Sequence, residues 1–326
     1  MVRTSTAERH NYVCPACGDD LSGDPSGRGF VKHMSNRDCR FEAGERDIEG
    51  VAAAPTSPAR TREASEAALV GFSGRGLERA SAILARAATP ERVMPPTELF
   101  NEGWLLRLAL DWFASRPDVG GPLSVPTGSR WYSEALLPSR FAARTRGDSL
   151  AETHTHADGA IGHFKIGDSG EGDLALDAGA KQFVLLEAKV NSKLSPGVKN
   201  APGFDQAARS VACVAHILSI AGVRPEQMPG LGFFVVAPAS QIARDNFSNE
   251  LRKDSIRRKV EVRVAQYESR KYDAWLAEWF LPVLAAIEIA TVSWEDVATV
   301  IESNDVGGGG WFREFYERCL YYNRLT

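Results

Sequence analysis

The chain has no long hydrophobic segment, and this absence limits where the protein can work. Of its 326 residues, 44% are hydrophobic, but no apolar run approaches the length of a membrane span. The first residues, Met1 to Asn11, are polar, so we expect neither a secretory signal nor a membrane anchor. Internal repeats are also lacking. We therefore expect a cytoplasmic protein with one sizeable core and no membrane partner.

Cysteine is scarce as well, with five in the whole chain. This number is too small for a disulfide-rich scaffold and agrees with a reducing compartment. Cys213 and Cys319 lie in apolar helical stretches, where we expect buried, reduced thiols. The other three lie near the amino end, and two of them, Cys14 and Cys17, form a Cys-Pro-Ala-Cys-Gly turn.

The close cysteine pair has the spacing of a zinc site. A histidine follows it after fifteen residues, and a third cysteine follows the histidine after five. A segment this short cannot build a core without a metal. We predict a zinc-finger-like module over residues 1–45 with one structural Zn²⁺. Its four ligands are Cys14, Cys17, His33 and Cys39.

A polar segment separates this module from the rest of the chain. Residues 46–62 are rich in Ala, Pro, Thr, Ser and Arg and show no apolar period, so we predict a flexible linker. A second domain is predicted over residues 63–326. Residues 1–63 hold nine Lys/Arg and ten Asp/Glu, a poor balance for gripping phosphates. Nucleic-acid binding and protein contact by the zinc module therefore remain equal alternatives.

A hydrophobic strand in the middle of the chain ends in a Glu-Ala-Lys sequence. Alternation along a strand points Glu187 and Lys189 to the same face, where one can hold a hard cation and the other can meet charge on a phosphate. A second acid, Asp173, lies upstream. If residues 172–176 pair with residues 183–187 as a hairpin, Asp173 lies opposite Glu187 and both carboxylates share a face.

At these residues the chain resembles the PD-(D/E)xK nuclease superfamily. The resemblance implies an α/β fold with a restriction-endonuclease-like core: a helix, a three-stranded antiparallel meander, a helix and a further strand. It covers about residues 98–265, and the remainder is expected to add C-terminal helices and a strand. One departure is that no proline precedes Asp173.

Further elements match the order of that family. A helix that opens at Pro96 and runs to about Ser115 carries Glu102, with Glu98 one turn earlier on the same face. A helix with Gln206 and Arg209 follows the lysine strand, and the hydrophobic strand of residues 231–237 comes next.

Phosphodiester hydrolysis requires an in-line water and neutralisation of charge on the phosphoryl oxygens, which magnesium ions can supply. Asp173, Glu187 and the carbonyl of Ala188 form the predicted Mg²⁺ ligand set. Lys189 is predicted to orient or deprotonate the water, or to stabilise the phosphoryl oxygens. By analogy with the family, Glu102 holds a second ion or a metal-bound water, and Gln206 positions the water or the phosphate.

The segment that follows the motif is basic, although the whole chain has a net charge of −4. Between Lys181 and Lys271 there are fifteen Lys/Arg against eight Asp/Glu. We predict a DNA contact here. Residues 272–326 are acidic, with nine Asp/Glu and three Lys/Arg, and we expect added elements or a homodimer surface there. The predicted DNA-binding residues are Lys193, Lys199, Arg209, Arg252, Lys253, Arg257, Arg258 and Lys259.

A His-x-His-x-Asp string, residues 154–158, resembles the signature of metallo-β-lactamase-like hydrolases. That family has a histidine directly after the aspartate, but Gly159 stands here and the other histidines are few, so a dinuclear zinc hydrolase is disfavoured. The string is instead expected to lead into a meander strand, Ala160 to Ile166. Asp158 is kept as the reserve metal ligand in case Asp173 is misplaced.

Together these observations predict a magnesium-dependent nuclease, most simply a DNA endonuclease of restriction, repair or defence type. Two alternatives remain: a catalytically silent nucleic-acid-binding protein of the same fold, and a zinc-stabilised adaptor that docks a protein. The sequence leaves open whether the substrate is duplex, single-stranded or modified DNA, or RNA.

Overall fold

A computed structural model describes residues 74–143, 145, 147–152, 154–167, 171–267, 272–305 and 308–324. The chain divides into two compact units, Met1–Leu77 and Glu78–Thr326. The predicted zinc module and linker, with their boundaries at residues 45 and 62, lie outside the described residues. In the described part of the chain, no helix is long and apolar enough to cross a membrane.

The described chain alternates helices with strands, so its class is mixed α/β. The helices are α1 (Arg75–Ala85), α2 (Glu102–Ala114), α3 (Gln206–Ala221), α4 (Ala239–Ala243), α5 (Ser248–Leu251), α6 (Lys253–Ala265), α7 (Asp273–Trp275), a π-helical turn (Leu276–Phe280), α8 (Leu281–Ala286), α9 (Trp294–Asn304) and α10 (Gly310–Tyr322), with 3₁₀ turns at Pro96–Glu98 and Pro225–Gln227. The strands are β1 (Arg130–Leu137), β2 (Thr155–Gly162), β3 (Phe164–Ile166), β4 (Leu174–Leu176), β5 (Gln182–Ala188), β6 (Gly197–Val198), β7 (Ala201–Pro202), β8 (Gly230–Ala237) and β9 (Glu288–Ser293).

One mixed sheet of five strands, in the order β1-β2-β5-β8-β9, forms the centre of the second unit. Strand β2 runs antiparallel to both of its neighbours, β1 and β5, whereas β5, β8 and β9 are parallel. Parallel neighbours need a crossover connection, and α3 supplies it between β5 and β8. Strands β3 and β4 lie between β2 and β5 along the chain, and they form a separate two-stranded sheet.

Both faces of this sheet are covered by helices. Alternate side chains of β5 point to opposite faces, and each set packs in a different hydrophobic cluster. Phe183 and Leu185 belong to a cluster that includes apolar residues of α3, whereas Val184 and Leu186 belong to a second cluster with residues of α2 and α10. Burying both faces explains why β5 and β8 are nearly continuous apolar runs. It also means that the charged Glu187, at the end of β5, enters a largely dry environment.

Several predicted elements are confirmed. The helix predicted to begin near Gln206 and the strand predicted over residues 231–237 are α3 and β8. Ser293 caps α9, since its hydroxyl accepts a hydrogen bond from the Asp296 N–H at 2.9 Å. Cys213 and Cys319 are buried free thiols, as predicted.

The predicted hairpin is wrong. Residues 174–176 pair with residues 164–166 rather than with β5, and β5 pairs with β2. The predicted strand from Ala160 to Ile166 is consequently two strands. It is broken because Gly162, with φ of 141°, turns the chain at His163. Asp173 therefore does not lie opposite Glu187.

Two further differences concern the amino-terminal part of this unit. The helix predicted from Pro96 is a 3₁₀ turn followed by α2, which begins only where the Asn101 side chain accepts a hydrogen bond from the Trp104 N–H. Glu98 and Glu102 therefore do not share one helix. Strand β1 was not predicted from the sequence, and it occupies the edge of the sheet beside β2.

Candidate functional site

The candidate site forms where two central strands stop pairing. Backbone pairing between β2 and β5 ends at Gly159 and Leu186. On its other side β5 stays attached to β8 as far as Ala188, and the Lys189 N–H donates to the Val236 carbonyl at 2.8 Å. A gap consequently opens between β2 and the end of β5. Polar side chains fill it.

Asp158 closes this gap with its carboxylate. Its Oδ2 atom accepts a hydrogen bond from the Ala188 N–H at 2.7 Å, which replaces the backbone partner that β2 no longer supplies. The Lys189 ammonium lies 3.5 Å from Asp158 Oδ2 and 3.6 Å from Glu187 Oε2. The Asp158 side chain is 25% exposed, whereas those of Lys189 and Glu187 are 9% and 1% exposed, so the cluster is reached from solvent at Asp158.

Helix α3 fixes the orientation of Glu187. Gln206 Nε2 donates to Glu187 Oε2 at 2.5 Å, and the Ser210 hydroxyl donates to Glu187 Oε1 at 3.3 Å. Residues four apart lie on one helix face, so both side chains reach the same carboxylate. The helix begins here because the Asp205 carboxylate accepts from the Ala208 N–H at 2.9 Å. Ser210 was not singled out from the sequence, although its spacing from Gln206 is a usable signal.

The environment of Glu187 disfavours its ionised form. Burial raises the pKa of Glu187 well above its ordinary value, and the neighbouring Asp158 raises it further, while Lys189 acts in the opposite direction. Two close carboxylates in a dry site favour a bound cation, because the cation removes their repulsion and replaces lost hydration.

Gln206 also holds the loop that follows β5. The Ser195 N–H donates to Gln206 Oε1 at 3.2 Å, and the Gln206 N–H donates to the Ser195 carbonyl at 2.9 Å. The loop carries Lys193 and Lys199, both exposed. Because both ends of the Gln206 amide are engaged, its role in this structure is to position Glu187 and the basic loop.

Groups from later in the chain hold the backbone just after the motif. The Trp294 indole N–H donates to the Lys189 carbonyl at 2.9 Å, and Gln241 Nε2 donates to the Val190 carbonyl at 2.6 Å. The Asn191 side chain donates to the Asn323 carbonyl. The backbone that follows β5 is thus held by groups from three separate parts of the chain.

A third acid, Glu134, lies next to the cluster. Ser133 pairs with Gly159 and Ala135 with Ala157, so Glu134 lies across from Asp158. Its φ of 56° is rare for a residue with a side chain. Arg107 lies 3.4 Å from its carboxylate, and burial and Asp158 together raise the pKa of Glu134. Sequence reasoning missed it because β1 was not predicted.

The structure does not bring every predicted acid to this site. Asp173 is exposed beside β1, where it bridges to Leu136. Glu102 begins α2 on the other face of the sheet and lies near Cys319. Among the described residues, no hydrogen bond or ion pair joins Glu102 to Asp158, Glu187 or Lys189.

The predicted DNA-binding cluster on α6 is largely engaged with neighbouring groups. Arg252 pairs with Asp254 at 2.8 Å and Arg257 with Glu261 at 2.7 Å, both exposed pairs of little strength. The remaining contacts are those of Lys253 with the Ala285 carbonyl and of Lys259 with Asp205, while Arg258 is exposed. Part of the positive charge counted in the sequence is therefore already compensated.

Within the described residues, no group of three or more His, Cys, Asp or Glu side chains has an arrangement that could hold a metal ion. His154 and His156 are exposed. The predicted zinc ligands Cys14, Cys17, His33 and Cys39 lie outside the described residues.

Comparisons with family models, with curated proteins and with solved structures gave no match.

Proposed function

We propose that this protein is a metal-dependent nuclease that hydrolyses phosphodiester bonds through Asp158, Glu187 and Lys189, most simply a DNA endonuclease. One observation carries the proposal. Two carboxylates from neighbouring strands each lie within 3.6 Å of the Lys189 ammonium group at the point where those strands separate. Burying a carboxylate costs desolvation free energy even when two hydrogen bonds hold it, as they hold Glu187. Buried acids with a raised pKa are concentrated at functional sites of proteins.

The order of elements supports the same proposal. Helix α2, the antiparallel strands β1, β2 and β5, helix α3 and the parallel strand β8 follow one another in the order of the PD-(D/E)xK core. In this interpretation Asp158 takes the place that the sequence assigned to Asp173. Glu187, Lys189 and Gln206 keep theirs.

The donor groups of the site fit Mg²⁺. Magnesium prefers oxygen ligands, keeps several waters and is often held by only one or two carboxylates. Asp158 and Glu187 supply these. The Ala188 carbonyl points into the same gap, because the N–H and C=O of one strand residue face the same neighbour and the Ala188 N–H meets Asp158. A bound Mg²⁺ would activate water and neutralise the phosphoryl oxygens.

Lys189 supplies the remaining positive charge. Its side chain is 9% exposed and its ammonium contacts both carboxylates, so the group is held in position and partly desolvated. In this position it orients the attacking water and stabilises charge on a phosphoryl oxygen, since a preorganised charge in a dry site costs no reorganisation during the reaction.

The test is a cleavage assay with plasmid, linear duplex DNA, single-stranded DNA and RNA, each with Mg²⁺ or EDTA. We expect Mg²⁺-dependent cleavage of at least one substrate. Asp158→Asn and Lys189→Ala should each reduce its rate at least a hundredfold, that is by roughly 3 kcal/mol or more in the activation free energy. Asp173→Asn serves as the matched control and should retain most of the activity.

Three results would contradict this assignment. If Asp173→Asn is inactive and Asp158→Asn is active, the acid has been assigned to the wrong strand. If Asp158→Asn and Lys189→Ala leave cleavage unchanged, the charged cluster is a structural ion pair. Binding without cleavage by the parent protein would favour the catalytically silent alternative.

A further inference from the structure

Arg107 of helix α2 brings a second positive group to the charged cluster. Its Nη2 atom lies 3.4 Å from Glu134 Oε1. Glu134 lies across from Asp158 on β1, whereas Lys189 directly follows β5 on the other side of β2. The strand order β1-β2-β5 therefore puts Asp158 between the Arg107–Glu134 pair and the Lys189 ammonium.

The Arg107–Glu134 pair belongs to the electrostatic environment of the cluster. Burial and the Asp158 charge raise the pKa of Glu134. Arg107, His156 and Lys189 act on it in the opposite direction. Since water and salt screen charges that are far apart, these groups must lie close to one another. Arg107 was not singled out from the sequence, because only the folded chain brings α2 and β1 together.

Most of the Arg107 guanidinium is available to a ligand. Among the described residues, Glu134 is its only hydrogen-bond partner, through one long contact. None of its nitrogens is a buried donor without a partner, whereas the Nε of Arg209 is one. The remaining N–H groups of Arg107 are therefore reached by solvent. The whole side chain is 30% exposed.

Local packing limits the positions that this guanidinium can take. Its central carbon lies 5.3 Å from the centroid of the Trp104 ring, one turn earlier on α2. A Cβ atom on Gly103 would lie 3.2 Å from Arg107 Nη1, so the glycine leaves the space that the guanidinium uses. Binding a phosphate in this position costs little further side-chain entropy.

We propose that Arg107 binds a non-bridging oxygen of the phosphodiester that is cleaved, and that Glu134 holds the guanidinium in place until the substrate binds. This assignment rests on the proposed nuclease function and adds a residue that contacts the reacting phosphate. A phosphodiester bound over Asp158 meets a positive group on each side, Arg107 and Lys189. The guanidinium fork can donate two parallel hydrogen bonds to phosphate oxygens, which are stronger than one long contact with a carboxylate.

The test is a binding measurement in EDTA, which prevents Mg²⁺-dependent cleavage. The probe is a DNA oligonucleotide in the duplex or single-stranded form that the wild-type protein cleaves. It is used unmodified or with one neutral methylphosphonate. Arg107→Ala should weaken binding of the unmodified probe about tenfold. Its effect on the probe that is neutral at the cleaved bond should be less than about twofold, because the partner of Arg107 is already removed. A methylphosphonate elsewhere should leave the tenfold effect unchanged.

Glu134→Gln separates this role from that of a structural ion pair. Loss of the carboxylate frees the guanidinium and removes a negative charge beside the bound phosphate. This variant should therefore bind the unmodified probe about two- to fivefold more tightly, in keeping with the strength of an exposed ion pair. If the pair were only structural, loss of either partner would not change affinity in opposite directions.

Arg116 provides a matched control. It contacts Asp305 at 3.4 Å, lies over the Trp112 ring at 4.8 Å from its centroid and is 35% exposed. Its surroundings resemble those of Arg107 but lie about 14 Å further along the axis of α2. Arg116→Ala should therefore bind every probe like the wild type. Arg107→Lys keeps the charge without the fork and should retain part of the difference between probes, which tests the assignment even if Arg107→Ala unfolds.

Four outcomes would overturn the assignment. Equal weakening of the unmodified and the neutral probe by Arg107→Ala would show that Arg107 does not contact the cleaved phosphodiester. Unchanged or weaker binding by Glu134→Gln would show that Glu134 does not restrain it. If Arg107→Ala binds and cleaves like the wild type while Asp158→Asn is inactive, this assignment alone fails. If the wild-type protein neither binds nor cleaves DNA, the proposed function fails, and the assignment fails with it.

Discussion

Glu187 is the most enclosed acid of the site, and its proton should couple to stability. Its pKa is raised, so the folded state binds the proton more tightly than the unfolded state. The resulting stabilisation is fully present below the ordinary value of 4.5 and is lost as the pH rises through the raised pKa. Without a divalent cation, the wild-type protein should therefore lose stability with rising pH, and Glu187→Gln should lose less.

Thermal melts in EDTA between pH 4.5 and 9 would measure this difference. Each unit by which the pKa is raised corresponds to about 1.4 kcal/mol. A difference of about 1 kcal/mol moves the midpoint by roughly 2–4 °C in a unit of this size. Glu226→Gln, at an exposed position, should follow the wild-type curve. Identical pH profiles for wild-type protein and Glu187→Gln would show that Glu187 titrates normally.

Single residues could be predicted where the signal is local. Glu187 and Lys189 are two apart on one strand, so their spacing identified them as candidates, whereas Gln206 was a candidate through the resemblance to the PD-(D/E)xK superfamily. The partner acid depends on which strand pairs with β5, and pairing is a long-range property. Asp158 was therefore only a reserve ligand in the sequence, while Asp173 was placed by a hairpin that does not form.

At the scale of elements, the turn between β2 and β3 determines where β5 can pair. Gly162 has φ of 141°, and a Cβ atom there would lie 2.1 Å from the Gln182 carbonyl oxygen. Gly162→Ala should therefore destabilise the protein by roughly 2–4 kcal/mol, because the backbone must move or the β2–β5 pairing must loosen.

Denaturant unfolding of matched alanine variants would measure this cost. Gly179→Ala is the control, since Gly179 has φ of 75° but no atom within 4 Å of an added Cβ. We expect it to cost only about 1–2 kcal/mol, from the left-handed backbone alone. Equal losses for both variants would indicate that the contact with Gln182 is unimportant.

Elements with continuous apolar runs and clear caps could be predicted from the sequence, whereas the edge strand β1 could not. Strands β5 and β8 are buried on both faces and therefore appear as hydrophobic runs. Strand β1 is only partly buried, and the unusual backbone at Glu134 interrupts its alternation. The short β3–β4 hairpin supplied a second plausible partner for β5, and local pattern could not decide between them.

At the scale of the whole molecule, the zinc module stays a prediction from the sequence. Metal analysis of protein purified from reducing, zinc-replete medium should find about one zinc per chain. Cys14→Ser should lose it, because a four-coordinate site loses most of its affinity with one ligand. Cys213→Ser is the control and should keep the zinc, since Cys213 is buried within the second unit. A wild-type chain without zinc would contradict the module.

Charge along the chain was a weaker guide to the whole molecule than the motif. The sequence shows an excess of positive charge after β5, but it does not show that Lys259 pairs with Asp205, 54 residues away. It also does not show that the Nε of Arg209 is shielded from solvent. Which charges are available to a ligand follows only from the folded neighbours.

The groups that hold the backbone of residues 189–191 are synthesised much later than the residues they hold. The Lys189 carbonyl is held by Trp294, 105 residues later in the chain, and Asn191 is held by Asn323, 132 residues later. During synthesis, the ribosome therefore releases Asp158, Glu187 and Lys189 long before the groups that hold the backbone after Lys189. A nascent or prematurely ended chain that lacks Trp294 and Asn323 would carry these side chains on a strand whose end is not held. The geometry of the cluster therefore depends on the last part of the described chain as well as on the strands that carry it.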